Sequence, residues 1–232
     1  MTTDRWITFD CFGTLIDWHG GYRAILSPLA GERTGALIAA YHGFERRLEE
    51  ERPHRLYREV LSVGLARAAR EIGLTLSEAE AGALARRWGE LPLFEDVPEA
   101  LSRLRADGFK IGILTNCDDD LFAATLQRFP RPHPDLVITA EQVRSYKPDL
   151  GHFREFERRT GVERRHWVHA ACSWFHDIEP ARRIGCPRVW VDRDRTGDDP
   201  EAASRVIPDL SGLAEIAALL VPLREERAPR RE

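Results

Sequence analysis

Three charged side chains carry most of the chemical potential of this sequence: Asp10, Lys147 and Asp177. The hydrophobic run Trp6-Ile-Thr-Phe ends on Asp10, and a Gly13-Thr14 turn follows. In an open α/β sheet, ligands bind just beyond the carboxyl ends of the strands. An aspartate held there can act as a covalent nucleophile; its ordinary alternative is to cap the turn. Lys147 lies in Ser145-Tyr-Lys-Pro-Asp149, where the proline biases it away from helix. The basic residues are 32 Arg and only two Lys, at 110 and 147. Arg cannot replace a Lys that acts as a compact point charge with a tunable pKa. Lys147 could therefore pair with Asp10, or it could be a surface lysine before a turn. Asp177 follows the run Val168 to His176 and opens a helix, as a cap or as a carboxylate facing Asp10 and Lys147. Ile113-Leu-Thr115-Asn116 ends a strand on a hydroxyl and an amide, either of which can hydrogen-bond an anionic oxygen or cap the next helix.

The elements that must position these groups alternate. Residues 6–10 read as a first strand. Residues 20–92 are helical in pattern: Leu37, Tyr41, Phe44 and Leu48 repeat at helical spacing, as do Val60, Leu61, Leu65, Ala68 and Ile72. Ser77-Glu-Ala-Glu80 is a capping box for a third helix. Strands are then predicted at 109–115, 136–139, 167–171 and 188–192, separated by helices over 98–107, 118–129 and 150–160. This predicts an α/β fold: a Rossmann-like parallel sheet with helices on both faces and an inserted small α-helical unit. The expected division is 1–18 and 94–222 for the core, 19–93 for the insertion and 223–232 for a frayed tail. Asp118, Asp119 and Asp120 are read as acids favoured by a helix dipole, in preference to a metal cluster.

Composition narrows the function. The chain has 232 residues, 43% hydrophobic, with a net charge of −4 and no basic tract outside its last residues, so nucleic-acid binding is not expected. No apolar run approaches a membrane span, and no signal peptide is read at the start. Cys11, Cys117, Cys172 and Cys186 form no CxxC pair, so reduced thiols in a cytoplasm are expected. His169, Cys172 and His176 do not have a standard zinc spacing.

In order, FDCFGTL, ILTN, YKPD and SWFHDIEPA resemble the haloacid dehalogenase superfamily over roughly residues 5–220, the helical insertion matching that family's small cap. Most members are magnesium-dependent phosphatases. Their first motif carries a second Asp where this chain has Phe12, and their fourth carries an Asp where it has Cys172. The first change removes a general acid and the second a hard oxygen ligand for magnesium. The type II L-2-haloacid dehalogenase branch, which has an aromatic residue at the position of Phe12 and uses no cofactor, is the nearer resemblance. It implies that Asp10 attacks C2 of a small anionic 2-haloacid, expels halide, and is freed by hydrolysis of the ester to the 2-hydroxy acid.

The same resemblance assigns roles. Thr14 and Asn116 orient Asp10 or the substrate, and Thr115 binds the substrate carboxylate. Lys147 keeps Asp10 ionised. Asp177 orients Lys147 and helps position water. Phe12, Ser173 and Trp174 complete the substrate-binding set. A cap arginine receives the halide, and Arg47 is the candidate: at ~100° per residue it lies about 90° from the apolar stripe, with Arg46 pointing opposite. Members with such a cap commonly dimerise. Three positions depart from characterised dehalogenases: Trp174 replaces an Asn, Phe153 a Tyr and Phe12 a Tyr. A Mg²⁺-dependent small-molecule phosphatase and a non-catalytic binding protein on the same scaffold are the alternatives.

Overall fold

A computed structural model describes residues 4–223; the tail expected at 223–232 lies outside them save for Leu223. The strands are β1 (Arg5–Phe9), β2 (Phe109–Thr115), β3 (Leu136–Thr139), β4 (Trp167–Ala171), β5 (Arg188–Val191) and β6 (Arg205–Ile207). They form one six-stranded sheet in the order β3-β2-β1-β4-β5-β6, all neighbours parallel. β1 and β4 are buried along their whole length, as strands covered on both faces must be. Connectivity runs outward from β1 through β2 to β3, then restarts at β4 on the other side of β1. That reversal opens a crevice at the carboxyl ends of β1 and β4, which is where such sheets take ligands. β6 was not anticipated: it has three residues, two of them exposed, and no apolar alternation to betray it.

Helices follow in chain order: α1 (Trp18–Ala30), α2 (Thr34–Glu50), α3 (Tyr57–Glu71), α4 (Glu78–Ala81), α5 (Ala83–Arg86), α6 (Val97–Ala106), α7 (Asp119–Leu126), α8 (Ala140–Val143), α9 (Gly151–Thr160), α10 (Glu179–Arg183) and α11 (Leu213–Leu220). Between β1 and α6 the chain builds the helical unit α1 to α5. It leaves and rejoins the sheet at one place: Ile16 bridges Leu93, Asp17 N–H donates to the Pro92 carbonyl, and Phe94 N–H to that of Leu15. Ser77 and Glu80 form the expected reciprocal capping box at α4. In α2 the apolar stripe Leu37, Tyr41 and Leu48 is fully buried, and Tyr41 and Leu48 pack where Gly64 lets α3 approach. A β-carbon at Gly64 would lie 3.0 Å from the Tyr41 ring.

The acids at 118–120 stand at the start of α7, as the dipole reading expects, and they do more besides. Asp118 is fully buried and accepts from the backbone N–H groups of Tyr57 and Arg58, at 2.7 and 2.9 Å, and from Arg58 Nε. It therefore caps α3 across the sequence, satisfying two of the four N–H groups that every helix start leaves free. Asp119 accepts from Thr139 Oγ1 and Gln142 Nε2, and Asp120 pairs with Arg58. The three carboxylates thus stand where the α7 dipole favours them, and each also has side-chain or backbone partners of its own.

Candidate active site

β1 stops at Phe9, and the following turn is built around Gly13. Its φ of +95° is costly for other residues, and a β-carbon there would lie 2.7 Å from Cys172 Sγ and 2.8 Å from Trp18 Nε1. The turn returns Thr14 onto Asp10: Thr14 Oγ1 donates to Asp10 Oδ2 at 2.9 Å. The same oxygen accepts from Cys172 N–H at 2.8 Å, which directs the hydroxyl proton toward the carboxylate.

Lys147 reaches the other oxygen. Its Nζ donates to Asp10 Oδ1 at 2.8 Å, to Asp177 Oδ1 at 2.7 Å and to the Leu114 carbonyl at 2.9 Å, which uses all three ammonium protons. Asn116 holds the lysine backbone from both sides: Lys147 N–H donates to Asn116 Oδ1 at 2.7 Å, and Asn116 Nδ2 donates to the Lys147 carbonyl at 3.1 Å. Asn116 thus positions Lys147; of the two roles expected of it, orienting Asp10 or the substrate, its side chain makes no hydrogen bond to Asp10.

Asp177 is fully buried, and its Oδ1 accepts from both Lys147 and His169 Nε2, the latter at 3.1 Å. A donor facing that oxygen puts a ring proton on Nε2. Nδ1 then accepts from Thr8 Oγ1, at 2.8 Å, and Thr8 in turn accepts from Trp167 Nε1. Asp177 Oδ2 has no partner among the described residues. Burial alone would push Asp177 up, but Lys147 and His169 together hold its carboxyl down to about 2. For Asp10, burial outweighs Lys147 and Thr14 and leaves it above its ordinary value of 3.8. Burial opposes the charge on Lys147, yet the two carboxylates raise it above its ordinary range. Of the two carboxylates, Asp10 is the less stabilised as an anion and the more basic.

The position two residues after Asp10 carries a side chain that cannot move a proton. Phe12 packs its ring on Trp88 at 4.5 Å. The residues do not suit magnesium either. Cys172 Sγ lies 4.0 Å from the Phe12 carbonyl, and burial raises its thiol, which offers no hard oxygen to such an ion. Asp177 already gives one oxygen to Lys147 and His169. Among the described residues no group of three His, Cys, Asp or Glu side chains could hold a metal ion.

A cleft of about 230 Å³ opens beside Lys147. The insertion contributes Arg46, Glu49, Glu50 and Arg52 to it; the sheet side contributes Tyr146, Phe175 and His176. Three expected site residues fall elsewhere. Arg47 is exposed and lies over Phe44 at 5.1 Å, whereas Arg46 lines the cleft and stacks on Phe175 at 4.9 Å. The apolar stripe of α2 faces α3, so the row that meets the cleft is the polar one holding Arg46 and Glu49. Trp174 turns away, donating through Nε1 to the Asp199 carbonyl at 3.0 Å, because Trp174–Ile178 forms a single π-turn that presents Phe175 and His176 instead. Thr115 is fully buried, with its hydroxyl directed at Cys117 Sγ, so it cannot meet a substrate carboxylate. Ser173 accepts from His176 N–H as the N-cap of that turn.

Thr8 and Glu49 escaped sequence reasoning, while His169 and His176 were weighed only as metal ligands and Arg46 was set aside in favour of Arg47. The accessible signal was on α2, where Arg46 and Glu49 share one face at i, i+3 spacing. His169 carried no local signal, because its partner Asp177 lies across a turn.

Residues 5–185 match the family described as haloacid dehalogenase-like hydrolase. Relatives include the (S)-2-haloacid dehalogenase H-109 of Pseudomonas putida, 25% identical over 88% of this chain and 95% of its own. A phosphoserine phosphatase of Thermus thermophilus is 32% identical, over 67% of this chain and 59% of its own. In fold, the chain matches the crystal structure of the L-2-haloacid dehalogenase RSc1362 with a TM-score of 0.83 at 21% identity, covering 93% of this chain and 99% of that one.

Proposed function

The chain belongs to the haloacid dehalogenase-like hydrolases, and from that premise we propose that it hydrolyses a small 2-haloacid to the 2-hydroxy acid through an ester on Asp10. One observation carries the choice of reaction within the family. The positions that would supply a general acid and a metal carboxylate are occupied by Phe12, packed against Trp88 with its ring tilted, and by the protonated thiol of Cys172. Halide leaves with its bonding pair and needs no proton; an alkoxide leaving from phosphorus does.

A carboxylate oxygen of Asp10 attacks C2 in line, the C–O bond forms as the carbon–halogen bond breaks, and C2 inverts. Lys147 and Thr14 fix the orientation of Asp10 throughout. In the second half, water adds to the ester carbonyl of Asp10 and the acyl C–O bond breaks; one proton of the water passes to the departing 2-hydroxy acid oxygen, the other goes to solvent, and the Asp10 carboxylate is regenerated. The unpartnered Oδ2 of Asp177 is the acceptor that holds this water, since its other oxygen is committed to Lys147 and His169. The helical unit is the cap over this site, and Arg46 takes the anion-binding role expected of Arg47. On this reading Arg46→Ala raises KM for 2-chloropropionate about tenfold, the scale of one charge-assisted hydrogen bond, whereas Arg47→Ala changes it less than twofold. Steady-state kinetics on both variants checks the pair.

The testing experiment is halide release from (S)-2-chloropropionate by EDTA-treated protein. Stoichiometric chloride and 2-hydroxy acid, unaffected by EDTA, is the expected result. Absence of halide, with phosphate released from esters only when magnesium is added, would replace this function by the phosphatase one.

A further inference from the structure

The cleft carries more charge than a three-carbon acid can use. Arg46 and Glu49 stand one turn apart on α2, at a spacing where opposite charges ordinarily pair. Neither makes an ion pair or side-chain hydrogen bond among the described residues; Arg46 rests on Phe175 instead. The neighbouring Glu45 is different, because its oxygens accept from Tyr41, Tyr57 and His42. Glu49 is thus a carboxylate left open in the same cavity as Lys147, half-buried where its equally unpaired neighbour Glu50 is exposed. Burial and the Glu45 charge push it well above the ordinary range, more than Lys147 and Arg46 draw it back, as for a carboxylate lacking its cation.

We infer that the cleft takes an acid with a cationic amino group on its chain, the ammonium seated on Glu49 while the acid end meets Arg46 and the reacting carbon lies at Asp10. The inference deepens the proposed dehalogenation and rests on it for the reacting group, though not for the amine subsite. A volume of about 230 Å³ leaves room beyond a three-carbon acid for such a chain. The ammonium of the ligand would return Glu49 to its ionised form and supply the partner it lacks.

The test pairs ω-amino-2-chloroacids of four and six carbons with unsubstituted 2-chloroacids of equal length, on wild type, Glu49→Gln and Glu49→Asp. The expected kcat/KM ratio, amino over plain, is tenfold or more in wild type at one of the two lengths. It collapses toward one in Glu49→Gln and is largely kept in Glu49→Asp. Calorimetric binding of 6-aminohexanoate and 4-aminobutanoate, against hexanoate and butanoate, forms a second arm that needs no turnover. Halide release without an amino preference, or a preference that survives Glu49→Gln, overturns the subsite and leaves dehalogenation standing. No halide from any chloroacid removes the dehalogenase function, and the binding arm then decides alone. Tenfold tighter amino-acid binding that Glu49→Gln abolishes upholds the subsite, and equal binding overturns it.

Discussion

Asp10→Asn abolishes halide release, with a loss of about 10³-fold or more, the scale seen when an enzyme loses its nucleophile. The amide cannot form the ester, although Thr14 and Lys147 still surround it. The same variant melts at a higher temperature than wild type. Folding holds Asp10 above 3.8, so its ionised form is disfavoured in the native state, and a neutral side chain removes that cost. The sign follows from linkage: a raised folded pKa withdraws stability as pH climbs through it. Activity has the opposite sense, because the attacking form is ionised, and the acid limb of kcat/KM lies above pH 3.8. Chloride assay and thermal melts on one protein preparation check both. A variant that loses activity and melts lower would mean that Asp10 is principally structural.

Lys147→Met has the larger structural effect. It strands Asp10 and Asp177, both buried, without their shared cation, and removing one partner of a buried ion pair costs about 3–5 kcal/mol. Turnover falls with it, since without the ammonium Asp10 is neither held in place nor kept ionised for attack. The pH dependence reverses as well. In wild type the depressed Asp177 contributes stability that is present above 3.8 and lost as pH falls toward about 2. In the variant both carboxyls are pushed up, so stability is greatest at acid pH and declines as pH rises through neutrality. Denaturant melts at pH 5 and pH 8 measure this; a variant equally stable at both would contradict the shared-cation account. Lys147→Arg does not restore the wild type, because a planar fork cannot direct three donors at Asp10, Asp177 and the Leu114 carbonyl.

The alternation of strand and helix was legible, since buried parallel strands are apolar runs and the turns between them carry Gly, Pro and Asp. So was the meeting of Asp10, Lys147 and Asp177, because each follows such a strand on the same edge of the sheet. What the sequence withheld depends on contacts between elements. Periodicity found the apolar stripe of α2 but could not say that it faces α3, and so it favoured Arg47 over Arg46. Trp174 was counted as a pocket residue because one extra residue in a π-turn cannot be read from spacing. Thr115 stands at the end of a strand in the crevice, yet its side chain faces the packed interior, and the phase of a fully buried strand leaves no alternation to reveal this. Asn116 was placed near the right residues, though its amide serves a backbone 31 positions away.

The grip of Asp118 on the start of α3 bears on how the molecule comes apart. If the helical unit lifted from the sheet, a fully buried carboxylate would be stripped of its backbone donors while Tyr57 and Arg58 lost their acceptor. That double loss couples the two layers, so partial unfolding of the helices alone is disfavoured and the chain behaves as one cooperative unit.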